Sequence, residues 1–124
     1  MDVEKTETFK IYNTAINKFY NNLDRLESKL REKKIYIFGT STPSCMMLSY
    51  LNEKQIQVEG FLDNNISRTG TRFRNKEVFY PSEVLSEYNP DILVLIVSGF
   101  QKQMIKQILS FGYTENNVEI VLDI

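Results

Sequence analysis

The residues best suited to chemistry in this chain are small, hydroxylated or acidic, and they fall in three short stretches. Gly39-Thr40-Ser41-Thr42-Pro43-Ser44 follows the apolar run Lys34-Ile35-Tyr36-Ile37-Phe38, Asp63-Asn64 closes the run Gly60-Phe61-Leu62, and Ser98-Gly99 closes the run 92–97. A phosphate group needs several backbone N–H groups pointing one way, and a helix start supplies them with about half a positive charge. Gly39 permits the turn that would aim such a helix, and Thr40, Ser41 and Ser44 add hydroxyl donors. Ser41 stands where a second glycine would let a pyrophosphate touch the backbone. The same stretch also reads as a plain strand-to-helix turn with Thr42 as the cap. Asp63 at a strand tip can accept both hydroxyls of a ribose, or it can close an Asx-turn on the amides of Asn65 or Ile66. Ser98 and Gly99 either line the same crevice or cap the next helix. Arg68 and Arg72, with Arg74 and Lys76, can close on a pyrophosphate or form a solvated face.

Composition excludes several other chemistries. Fifteen basic and sixteen acidic residues leave a formal charge of -1, too little for a field that would hold nucleic acid or an acidic membrane. A lone cysteine, Cys45, rules out an internal disulfide, and it reads as a packing residue. The absence of histidine removes the commonest metal ligand and acid/base. The polar start Met1-Asp2-Val3-Glu4-Lys5 and the lack of an apolar run near the roughly 20 residues that a bilayer needs argue against a signal peptide and a membrane span. A cytoplasmic setting is the expectation.

The elements that must position these residues follow from periodicity. Phe9, Tyr12, Ile16, Phe19, Leu23, Leu26 and Leu30 recur at alternating spacings of three and four, with no Gly or Pro before Phe38, which predicts one long amphipathic helix over 1–33. Its stripe can lie across its own domain, pair with a second copy, or form a stalk to a neighbouring domain. From Lys34 the pattern changes to strands at about 35–38, 57–62, 78–80, 92–97 and 118–122. Residues 92–97 are apolar throughout, as a strand covered on both faces must be, which places this strand beside the first. Helices are expected from Thr42 with Pro43 first, from Pro81, and from Gln101 to a stop at Gly112. Residues 64–76 read as a loop broken at Gly70 in place of the second crossover helix. The expected fold is therefore α/β, a three-layer half over 34–124 with a mostly parallel five-stranded sheet in the order third, second, first, fourth, fifth.

The succession Ile35 to Gly39, Val58 to Asn65, Gly70, Val78 to Val84 and Asp91 to Ser98 resembles the small Rossmann-like module of bacterial glycan assembly. Such modules form the N-terminal domain of sugar acyltransferases of the sialic-acid and bacillosamine type, and similar ones accompany glycosyltransferases and FkbM-type methyltransferases. The resemblance covers about 34–124. It implies that Gly39, Thr40, Ser41 and Asp63 hold a nucleotide-linked sugar. The family's later loop glycines are replaced here by Ser41 and Ser44, and the histidine of the acyltransferase loop is missing. The expected function is a non-catalytic module that binds a nucleotide sugar or dinucleotide, partnered by a second copy or by a neighbouring catalytic domain. The rival is an interaction module with an empty crevice that self-associates through the N-terminal helix. A subunit of an NAD(P)-dependent oxidoreductase is the third.

Overall fold

A computed structural model describes residues 3–97 and 99–122, with side chains over 14–97 and 99–121. Its helices are α1 (Val3–Arg25), α2 (Glu27–Glu32), α3 (Thr42–Glu53), α4 (Pro81–Leu85) and α5 (Gln101–Ser110). Its strands are β1 (Lys34–Phe38), β2 (Val58–Leu62), β3 (Arg72–Phe73), β4 (Lys76–Phe79), β5 (Ile92–Val97) and β6 (Val118–Leu122). The sheet has the order β3-β4-β2-β1-β5-β6. Four pairings, β4 with β2, β2 with β1, β1 with β5 and β5 with β6, are parallel.

Five of these strands stand in the order read from the sequence, and the sixth corrects the expected count. Arg72–Phe73 pairs antiparallel with Lys76–Glu77 and extends the sheet beyond β4. The turn that joins them puts Arg74 and Asn75 at φ 52° and 66°. Two successive left-handed residues are what a two-residue hairpin of the right twist requires, but the usual signal carries a glycine there, and Arg-Asn conceals it. The rest of the stretch is a 3-10 turn at Ile66–Arg68.

The N-terminal helix also departs from expectation. It breaks at Leu26, whose N–H is shared between the carbonyls of Asn22 (3.3 Å) and Leu23 (3.1 Å). Neither Gly nor Pro marks the break. The tightened turn re-aims the last apolar residues, so that Leu26 and Leu30 are both buried before the chain extends at Lys33.

Burial along β5 shows how the layers arise. Leu93, Leu95 and Val97 face one core with Phe19, Leu23 and Leu30 of the first two helices and Met47 and Leu51 of α3. Ile92, Val94 and Ile96 face the other with Leu85 of α4 and Ile108 of α5. The three-layer arrangement is thus present, with a particular division of labour. The connections through α4 and α5 both lie on one face, so the opposite face over β5 and β6 has no crossover helix. α1 covers it. Asn22 Nδ2 donates to the Val121 carbonyl at 2.6 Å, and Lys29 Nζ pairs with Glu119 at 2.8 Å. Phe19, Leu23, Leu26 and Leu30 of the apolar stripe are therefore core residues of their own domain. The side chains of Phe9 and Tyr12 lie outside the described residues.

Candidate functional site

At β1 the strand order reverses, with β2 on one side and β5 on the other, and in open α/β sheets the crevice outside the carboxyl ends of the strands at such a switch point is where ligands bind. Gly39 makes the exit from β1. Its φ of +98° is a left-handed value that side chains with a Cβ avoid, and its N–H donates to the Leu62 carbonyl at 2.7 Å, extending the ladder one residue past the strand. The helix that follows starts one residue earlier than the sequence suggests. Ser41, not Thr42, is the cap, its Oγ accepting from the Ser44 N–H at 3.4 Å, and Pro43 occupies the second helical position. Ser44 is fully buried, and its hydroxyl lies 3.1 Å from Ser41 Oγ.

Asp63 leaves β2 half-buried, its backbone still paired through N–H to the Phe79 carbonyl at 3.0 Å. The carboxylate is shared between two partners. Oδ1 accepts the Asn65 N–H at 2.8 Å, the Asx-turn, and Oδ2 accepts the Thr40 hydroxyl at 2.9 Å. Arg68 Nη1 in turn donates to Thr40 Oγ1 at 2.9 Å. A chain Arg68, Thr40, Asp63, Asn65 thus spans the loops after β1 and β2. It presents a guanidinium and a carboxylate side by side at the mouth of the crevice, where a ligand with both acceptors and hydroxyls can displace or extend them.

The remaining candidates are distributed less evenly. Asn64 is tied to the other side of the crevice by a reciprocal amide pair with Gln107 of α5, at 2.9 and 2.8 Å. Gly99 is exposed ahead of α5, while Ser98 lies outside the described residues. Arg72 is not brought to the crevice. β4 and β2 separate its strand from β1, and its guanidinium donates to the Asn75 carbonyl of its own hairpin. Gln107 was invisible in the sequence, because an amide on the flank of an amphipathic helix carries no mark of what it will face. Cys45 is partly exposed on α3, beside a cavity of about 460 Å³ toward Arg74 and Asn75.

The topology and this crevice define a Rossmann-like α/β module. The chain belongs to the C2185-like N-terminal family, whose model matches residues 31–119. No curated protein matches the sequence. Among solved structures, a Rex-family repressor, RSP, superposes with a TM-score of 0.55 at 15% identity over 85% of this chain and 59% of that one. The same repressor in complex with beta-NADH gives 0.52 at 16% identity, over 85% of this chain and 60% of that one. UDP-D-quinovosamine 4-dehydrogenase from Vibrio fischeri gives 0.52 at 20% identity, covering 72% of this chain and 75% of that one. At these identities the likeness is one of fold, and this chain spans 59% of the repressor's length. No helix among the described residues is long and apolar enough to cross a membrane.

Proposed function

We propose that this chain is a nucleotide-binding module that holds a dinucleotide or a nucleotide-linked sugar in the crevice at the ends of β1, β2 and β5, without catalysing a reaction by itself. The observation that carries the reading is the meeting of the Gly39 turn with Asp63 through Thr40. A helix start and a strand-tip carboxylate at a switch point are complementary to phosphate and ribose together. The structural neighbours support the ligand class, since one was solved with beta-NADH and another acts as a UDP-sugar dehydrogenase. Gly39, Thr40 and Ser41 would meet phosphate, Arg68 would neutralise it, and Asp63 and Asn64 would meet the ribose. Ser98 and Gly99 would border the base or sugar. A role beside a catalytic domain in bacterial glycan modification, in the cytoplasm, completes the proposal. A second copy of the chain is the other partner that fits. An NAD(P)-dependent oxidoreductase subunit fits the same crevice, with the reacting groups supplied from elsewhere.

One observation favours a different reading. Asp63, Asn64 and Arg68 already have protein partners, so the crevice is satisfied without a ligand and the module would then serve interaction alone. Thermal denaturation in the presence of NADH, NAD+, uridine-diphosphate sugars and S-adenosylmethionine separates the two. A ligand at about 100 times its Kd stabilises by about 2.7 kcal/mol. The expected result is a shift with at least one nucleotide that is lost in Asp63→Asn, whose own melting transition stays cooperative. A flat response across the panel at millimolar concentration selects the interaction module.

A further inference from the structure

The crossover from β4 to β5 runs through α4, which has five residues. So short a helix leaves sheet floor uncovered, and a cavity of about 520 Å³ opens there, toward the start of β1 and β5 and away from the strand tips. This is the size range of small-molecule sites. Tyr36 and Phe79 form its floor, their rings edge to face at 6.1 Å and 75°. The floor depends on a missing side chain: a Cβ on Gly60 would come within 2.8 Å of Cε2 of Phe79. Tyr88 stands at the wall, 54% exposed, its ring 5.1 Å from that of Tyr113. Glu83, Glu87 and Lys34 are the charged residues of the lining. Among the described residues none of these three charged side chains has an ion-pair or hydrogen-bond partner, and neither does the Tyr36 or Tyr88 hydroxyl.

Aromatic faces carry negative potential and attract cations within about 6 Å of the ring. Two carboxylates against one ammonium leave the lining with a net charge of -1. Rings and charge therefore select for the same kind of guest. We propose that this cavity binds a small organic monocation, a guanidinium or alkylammonium group, over the Tyr36–Phe79 floor with Glu83 and Glu87 as counter-ions. The group can arrive on a free metabolite or on a peptide side chain. This proposal is independent of the nucleotide crevice, which lies at the other end of the strands.

Amide correlation spectra of the whole chain test it, with propylguanidinium as the free cation, N-acetylarginine amide as the peptide-borne one, and propylurea as the neutral isostere. Saturable shifts at Tyr36, Phe79 and Tyr88 are expected with the two guanidinium probes and not with propylurea. The tighter of the two identifies the source. Glu83→Gln with Glu87→Gln should abolish saturation while leaving the rest of the spectrum unchanged, since neither carboxylate has a partner to lose. Tyr88→Leu should weaken binding about fivefold, as loss of one cation–π contact implies. Equal shifts with propylurea, unchanged affinity in the double glutamine variant, or no saturation by about 10 mM of either cation would each overturn the proposal.

Discussion

A methyl group at residue 60 would stand 2.8 Å from the Glu77 carbonyl oxygen as well as 2.8 Å from the Phe79 ring. The first of these neighbours is backbone of the adjacent strand and cannot move aside without opening the β2–β4 pairing. Gly60→Ala is therefore expected to lower stability by about 1–3 kcal/mol, the usual cost of overpacking, measured by denaturant unfolding. Gly39→Ala gives a contrasting case. The nearest atom to its Cβ is Ser44 Oγ at 3.9 Å, so space is not the obstacle, but φ +98° is. The expected cost is about 1–2 kcal/mol from backbone strain alone. Gly39 could be picked out beforehand from its place between strand and helix, whereas Gly60 passed as one more residue of its strand, because the neighbour that crowds it belongs to another strand. The proximity of Asp63 and Thr40 follows from the expected strand order, since each stands just past the end of one of two neighbouring strands. The Asn64–Gln107 bridge was not legible, because α5 is placed by packing and nothing local says which residue will overhang the crevice.

At the scale of elements, the stripe of the first helix announced that something would cover it and was silent on what. Three and four residue spacing serves a partner helix and a sheet face alike. The structure settles the matter for Phe19 and Leu23, which are 2% and 0% exposed within their own core. This changes the outcome expected from charging the stripe. Phe19→Glu with Leu23→Glu should unfold the domain, because burying two unpaired carboxylates costs more than about 4–5 kcal/mol, a large part of the stability of a chain this size. Loss of helical circular dichroism together with aggregation in sedimentation would show it. A folded monomer obtained by dissociating a wild-type dimer would instead place those residues between copies. The short β3 strand escaped notice because Arg72–Phe73 is too brief for alternation to show and its turn lacks a glycine.

Over the whole molecule, two tyrosines couple stability to alkaline pH. Burial, then the hydrogen bond that the Tyr50 hydroxyl donates to Asp24, together with the charges of Asp24 and Glu27, hold the Tyr50 pKa well above its ordinary 10.0. Burial, helped by Glu59 and Tyr113, likewise raises that of Tyr36. The folded chain then keeps protons that the unfolded chain releases near 10.0. The sign follows: this contribution is complete below about pH 10 and is lost progressively as pH rises from there toward the folded values. Melting temperatures should hold up to about pH 10 and fall above it, and Tyr50→Phe should flatten the fall. Unchanged slopes in that variant would mean that Tyr50 titrates as it does in the unfolded chain.

The clasp between α1 and β6 has a temporal side. Asn22 donates to a carbonyl 99 residues further along the chain. A ribosome adding about 5–20 residues per second reaches that point about 5–20 s after Asn22 has been made. Through this interval Phe19, Leu23, Leu26 and Leu30 have a helix to sit on and no sheet to sit against. Every nascent chain thus carries this apolar stripe uncovered until nearly all of the domain has been translated, which makes residues 19–30 a natural handle for a chaperone and a place for crowded nascent copies to stick together.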